Sequence, residues 1–248
     1  MTAEKSLAIV LRLVEFSESS LVVTLYTRDF GKVSALAKGA RRPKGPFEAA
    51  LDHLAICRVV FLRKSGDSLD LLTEAKLERR FRNRSKKLAN LYAGYYIAEL
   101  LSDLTARGDA QVDLFDLAIR TLDRLDVTGA ITGVIEHFEL RMLVLMGHFP
   151  LLDACVECGG ALEDRTSVLF APIEGGTLCE NCREGKRNLI RVSREVLELM
   201  KRLGDELTPN EDLLKAVEPY RGVLRGVLNS YLSHHFGSHF RLQACLNR

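Results

Sequence analysis

The sequence predicts an α+β protein: a small N-terminal β-barrel, then an α-helical domain carrying a four-cysteine insertion. Three observations lead there. Residues 5–77 alternate short branched and aromatic runs with turn signals. From Arg79 the apolar spacing changes to threes and fours. Between residues 151 and 190 the composition shifts again, to four cysteines and five glycines.

The elements follow in order. Residues 6–15 are rich in Leu, Ile and Val, and residues 21–27 are branched and aromatic. Residues 32–37 alternate, with Val33, Ala35 and Ala37 on one face. Residues 54–63 and 68–76 complete a set of five strands, separated by turn signals at 18–20, 29–31 and 65–67. Five strands in so short a stretch fit an oligonucleotide-binding (OB) barrel, and the gap at 38–51 is where such a barrel often places a helix. Leu88, Leu91, Tyr92, Tyr95 and Tyr96 then open a helix that Gly108 ends. Residues 112–125 and 131–146 read as two more, stopped by Gly147 and Pro150. Ser193 caps a helix to about residue 203, and a last one spans residues 219–236. The expected organisation is an OB-fold nucleic-acid-binding domain at 1–79, a helical domain at 80–150, a zinc-ribbon insertion at 151–190 and the rest of the helical domain at 191–248.

The formal charge of +2 hides an asymmetry. Residues 1–87 hold 18 Lys/Arg against 10 Asp/Glu, or +8, and residues 88–248 hold 17 against 23, or −6. A basic front end on an acidic body points to a polyanionic partner. Glu4, Lys5, Arg12, Glu15 and Glu18 interrupt the first 20 residues, so no apolar signal core is expected there. No uncharged apolar run approaches the roughly 18–20 residues that span a bilayer. The expectation is a cytoplasmic protein with no membrane partner and with reduced thiols.

Cys155-x2-Cys158 and Cys179-x2-Cys182 are separated by 20 residues. Each pair bends the chain into a knuckle that offers two thiolates, and two knuckles close a tetrahedron around zinc. Four sulfurs leave no open coordination position, which predicts one structural zinc per chain. Cys57 and Cys245 stand alone and read as plain core or surface residues. A zinc-dependent nucleobase-modifying enzyme is a rival, because His137-Phe-Glu139 followed by Pro150 and C-x-x-C is loosely similar to a deaminase signature. That rival leaves Cys179 and Cys182 unexplained. No phosphate-cradling G-x-x-x-x-G-K-[ST] and no G-x-S-x-G elbow is present, so no catalytic set is expected. His234, His235 and His239 read as helix-surface residues.

Lys38, Arg41, Arg42 and Lys44 lie in a Gly/Pro loop, whose free amides and outward cations suit a phosphate backbone. Arg79, Arg80, Arg82 and Arg84 form a second cluster, with Lys86 and Lys87 beside it. Tyr26, Phe30, Phe47 and Phe61 are the nearby candidates for base stacking. A second rival is an RNA-binding module with the same barrel and ribbon.

The run A-I-V-L-R…F-S-E…V-T-L-Y-T-R-D-F-G-K-V-S-A-L-A-K-G-A-R-R at residues 8–42 resembles the RecO family of bacterial DNA repair and recombination mediators. So do F-E-L-R-M-L-V-L-M-G-H-F-P-L-L-D-A-C-V-E-C-G at 138–159, F-A-P-I-E-G-G-T-L-C-E-N-C at 170–182 and the tail L-N-S-Y-L-S-H-H-F-G. The resemblance implies an OB-fold that binds single- and double-stranded DNA. It implies annealing of complementary strands coated with single-stranded DNA-binding protein (SSB). It implies partnership with the SSB C-terminal tail and with RecR, indirect action on RecA loading in the RecFOR pathway, and a nucleoid-associated location. It carries the zinc ligands over to Cys155, Cys158, Cys179 and Cys182, and DNA contacts to the basic loop. An SSB-tail pocket would lie in the helical part, with Arg120, Arg124 and Arg141 as candidate cations.

Overall fold

The computed structural model describes residues 2–42, 45, 47, 50–64, 66, 68–162, 166–237 and 240–246. Five strands form a closed barrel: β1 (Ala3–Glu15), β2 (Leu21–Thr27), β3 (Gly31–Ala37), β4 (Ile56–Leu62) and β5 (Asp70–Arg79), in the order β1-β2-β3-β5-β4. All pairings are antiparallel except β3–β5, a parallel ladder of three residue pairs that closes the barrel. The order is that of an OB-fold.

Alternation fills the barrel. Ala8, Val10, Val23, Leu25, Val33, Ala35, Val59, Phe61 and Leu72 are buried in one interior cluster. The register of β1 against β2 shifts between Val10 and Arg12, and Ile9, Val10 and Leu11 are all buried around that shift. A β-strand with both faces covered needs a second layer, which α1 (Leu88–Leu104) supplies by packing on β1. The 38–51 connection holds no helix among its described residues; Phe47 and Ala50 are instead buried in the barrel cluster. Gly31 opens β3 at φ +63, and a Cβ there would come within 2.0 Å of the Asp109 carbonyl oxygen, so only glycine admits this close approach.

The chain divides into two compact units, Met1–Gly129 with Ala244–Arg248, and Ala130–Gln243. The first holds the barrel, α1 and α2 (Val112–Val127). Buried Asn90 on α1 donates its amide to the carbonyls of Leu125 (2.9 Å) and Thr128 (2.8 Å), so one side chain satisfies the open end of α2.

The second unit starts at α3 (Val134–Leu145), whose Glu136 carboxylate accepts the Gly133 amide at 2.7 Å. A three-stranded sheet follows: β6 (Ser167–Ala171), β7 (Gly176–Leu178) and β8 (Ile190–Ser193), in the order β7-β6-β8. Then come α4 (Arg194–Asp205), α5 (Glu211–Lys215) and α6 (Arg221–Phe236); α7 (Gln243–Leu246) falls, but for its first residue, in the C-terminal segment of the first unit. Ser193 caps α4, its hydroxyl accepting the Val196 amide. Between α3 and α6 lies a buried ionic cluster. Arg225 grips Glu139 with two hydrogen bonds of 2.6 and 2.9 Å, approaches Glu136 at 3.4 Å and donates to Asn229 at 2.6 Å. Among the described residues, no helix is long and apolar enough to cross a membrane.

Candidate metal centre and nucleic-acid interface

The backbone of residues 151–182 is folded by its own hydrogen bonds into two knuckles. The Cys155 amide donates to the Gly160 carbonyl (2.9 Å) and the Gly159 amide to the Cys155 carbonyl (2.8 Å), which turns the first knuckle. Gly159 sits at φ +69, in the left-handed region that this turn requires. The Cys182 amide donates to the Cys179 carbonyl at 3.2 Å and turns the second. The Val156 amide donates to Thr177 (2.8 Å), and the Thr177 hydroxyl to Leu151 and Ala154, so β7 carries the second knuckle back beside the first.

The four sulfurs of Cys155, Cys158, Cys179 and Cys182 consequently lie within 4.8 Å of one another. Cys158 and Cys179 sulfurs are 4.0 Å apart. A tetrahedron with metal–sulfur bonds of about 2.3 Å has edges of about 3.8 Å. The group could hold a metal ion, and an all-sulfur donor set fits zinc. The thiols titrate unequally. Burial pushes the Cys155 thiol up, but backbone amides of Cys158, Cys179 and Glu157 outweigh it and bring it to about 6. Hydrogen bonding to Cys179 and Cys158, with burial, pushes Cys182 up to about 12. A bound dication would favour the thiolate form of all four.

His137 and Glu139, the residues of the deaminase rival, are engaged elsewhere. His137 Nε2 lies 2.9 Å from the Glu206 carbonyl oxygen, and Glu139 is buried against Arg225. Cys57 is buried, which pushes its thiol up to about 12 and keeps it inert. His235 stacks on Tyr231 with ring centroids 5.3 Å apart; His239 lies outside the described residues.

The basic loop leaves β3 at the end of the barrel where β1 turns into β2. Lys38, Arg41 and Arg42 are exposed; Lys44 lies outside the described residues. Arg41 is tied to the β1–β2 turn twice, by its amide to the Ser19 carbonyl (3.1 Å) and by its guanidinium to Glu15 (3.2 Å). The second cluster is drawn onto acidic α2. Arg79 pairs with Asp123 (2.8 Å), Arg84 with Asp126 (3.1 Å), and the Arg82 amide donates to Asp126 (2.6 Å). Arg80 is half-buried. Two of its cations therefore have structural partners that the sequence does not reveal, since the pairs span about 40 residues. Of the stacking candidates, Tyr26, Phe47 and Phe61 are buried in the fold, and Phe30 packs edge-on against Phe61 with Arg63 over its ring. The exposed phenylalanine near the loop is Phe16, which the sequence reading passed over.

Comparison with known proteins agrees with this architecture along almost the whole chain. Residues 1–81 match the family model for the recombination protein O N terminal, and residues 85–243 that for the recombination protein O C terminal. The DNA repair protein RecO of Rhodopirellula baltica is 45% identical over 201 residues, 81% of this chain and 74% of that protein. That of Rubrobacter xylanophilus is 38% identical over 184 residues, 74% of this chain and 73% of that protein. That of Symbiobacterium thermophilum is 35% identical over 199 residues, 79% of this chain and 78% of that protein. With a five-stranded barrel in OB order, a helical second half, a four-cysteine cluster and family matches covering both halves, the chain belongs to the RecO family.

Proposed function

We propose that this chain is a DNA-binding mediator of recombinational DNA repair that works by holding strands and partners, without catalysing bond chemistry. The observation that carries the reading is the closed OB barrel with exposed cations at one lip, in a chain of the RecO family. Single- and double-stranded DNA are its proposed ligands, met by Lys38, Arg41, Arg42 and Lys44, with Arg79, Arg80, Arg82 and Arg84 as a second line. One zinc per chain, held by Cys155, Cys158, Cys179 and Cys182, is the proposed cofactor. Its role is structural, because four sulfurs leave a reactant no place on the metal. The working division is an OB-fold at 1–79, a zinc ribbon at 151–190 and helical parts at 80–150 and 191–248. The proposed setting is the cytoplasm, on the nucleoid.

Two complementary strands repel one another, and SSB hides their bases. A protein that neutralises phosphates on both while docking to the SSB C-terminal tail brings them together; with RecR it then helps RecA load. An SSB tail that is acidic with an apolar end needs a cation beside an apolar pocket. Of the candidate arginines, Arg141 already donates to the Gly204 carbonyl at 2.9 Å, which leaves Arg120 and Arg124 the better ones.

Complementary SSB-coated strands incubated with the protein and no ATP are expected to form duplex, and removal of the SSB tail should abolish that gain while naked strands still anneal. Annealing of naked strands alone would reduce the protein to a generic basic OB module. Neutralising Arg41, Arg42 and Lys44 together should weaken binding to every DNA sequence alike. The log–log salt slope should become shallower by about 0.7 per lost contact on single strands. An unchanged slope in a filter-binding titration would remove these cations from the phosphate path.

A further inference from the structure

We propose that Phe16 is a stacking platform for an unpaired base of single-stranded DNA; this rests on the DNA-binding reading and adds to it the contact that distinguishes single strands from duplex. Phe16 directly follows β1 and is 62% exposed. It is the only phenylalanine among the exposed large hydrophobic side chains of the described residues. A lone exposed apolar residue needs no explanation by itself. Its surroundings supply one.

The backbone beneath the ring is held firmly. The Phe16 amide donates to the Ser20 carbonyl at 3.0 Å, closing the β1–β2 turn. The neighbouring Glu15 is pinned by Arg41 at 3.2 Å, and the Ser19 carbonyl by the Arg41 amide at 3.1 Å. The turn and the basic loop are thus fastened to each other, and Phe16 stands on the fastening with its ring in solvent. A rigid backbone under a free aromatic ring lowers the entropy lost when a base lands on it.

Register places a suitable surface behind it. Leu13 packs on the barrel interior, so Arg12 and Val14 alternate to the outside of β1. Val14 pairs with Val22 and Val22 with Leu36; Arg12 pairs with Thr24 and Thr24 with Ser34. Cross-strand partners share a face, so an apolar strip of exposed Val14 and half-buried Val22 and Leu36 runs across three strands toward Lys38. Four exposed cations lie on the adjoining chain, Arg12 on β1 and Lys38, Arg41 and Arg42 just after β3, with Arg41 paired to Glu15, against the two carboxylates Glu15 and Glu18. Apolar strip, aromatic ring and net positive rim are complementary to bases on a phosphate backbone, and the β1–β2 loop is one that OB-folds use for oligonucleotides. Duplex DNA keeps its bases stacked on each other and offers Phe16 nothing.

The chain contains no tryptophan, so Phe16→Trp installs a single indole reporter. In the full-length protein, an unstructured oligothymidine should quench that fluorescence on binding, while a duplex bound equally well, judged by anisotropy of labelled DNA, should not. Phe16→Ala should bind the oligothymidine roughly 5- to 100-fold more weakly, with duplex affinity and the salt slope unchanged, because no cation is lost. Phe16→Trp should retain wild-type affinity. Circular dichroism melting of each variant is expected to match the wild type, since the ring is exposed. If the wild type fails to bind DNA, the functional reading falls and this inference with it. If the wild type binds but Phe16→Ala matches it, loses duplex affinity equally, or alters only self-association, the stacking role is overturned and the DNA-binding reading stands.

Discussion

Cys179→Ser is expected to leave the protein with substoichiometric zinc and no cooperative melting of residues 151–193. Among the described residues, the apolar cluster beside the cysteines has four buried members, Cys155, Leu169, Ala171 and Leu178, one of them a ligand candidate itself. A cluster of that size falls far short of the entropy of ordering some 40 residues, a shortfall that the proposed zinc would make up. Structural zinc contributes an apparent 10–16 kcal/mol, roughly, at neutral pH, and it does so by binding the folded state only. Removing one of four sulfurs forfeits much of that and opens the site to water and chelators. Elemental analysis and X-ray absorption of the wild type should report one zinc per chain with four sulfurs at about 2.3 Å. A nitrogen or water in the first shell would refute the closed site, and full metal retention in Cys179→Ser would refute the ligand assignment.

Arg225→Met should destabilise the second unit by about 3–5 kcal/mol, because it takes a hydrogen-bonded cation away from two buried carboxylates. Glu136 and Glu139 both lie under α6, and Arg225 is a cation hydrogen-bonded to both. Replacing Arg225, Glu136 and Glu139 together with apolar residues of similar volume should recover most of the loss, since desolvating three charges offsets most of their mutual attraction. The pH dependence has a definite sign. Burial raises the Glu136 carboxyl above its ordinary range even with Arg225 opposing it. A raised native value means the folded state holds the proton more tightly than the unfolded state, so stability falls as pH rises through the raised value. Without Arg225 the rise is larger. The deficit of Arg225→Met, measured by urea denaturation, should therefore be smaller at pH 5 than at pH 8. A deficit that grows on acidification would show that the Glu136 carboxylate is ionised and solvated in the variant.

What the sequence made legible was local. Strand alternation at 32–37 and the helical spacing from Leu88 depend on neighbours a few residues apart, and the knuckles depend on two short spacings. β8 and α5 escaped notice because four or five residues carry too little period to register. The buried cluster of Arg225 with Glu139 joins residues 86 positions apart, and nothing in either neighbourhood announces it. The aromatic candidates failed for a related reason. A small barrel must fill its interior, so Phe47 and Phe61 are drawn inward whatever charges flank them in sequence. Phe16 went unnoticed because Glu15, Ser17 and Glu18 make its segment read as a polar turn. The basic loop reads well as composition, while the recruitment of Arg79 and Arg84 by α2 is a matter of folding.

The junction at Ser193 has a mechanical consequence. β8 ends on that residue and α4 begins on the next, so the serine serves at once as the last rung of a ladder and the first cap of a helix. No residue is left over to act as a joint. Rotation of the cysteine-bearing sheet against α4 would have to break either the Ser167–Ser193 rung or the cap on the Val196 amide. The insertion is therefore geared to the helix it precedes, and a torque applied to one by a bound partner is delivered to the other without slack.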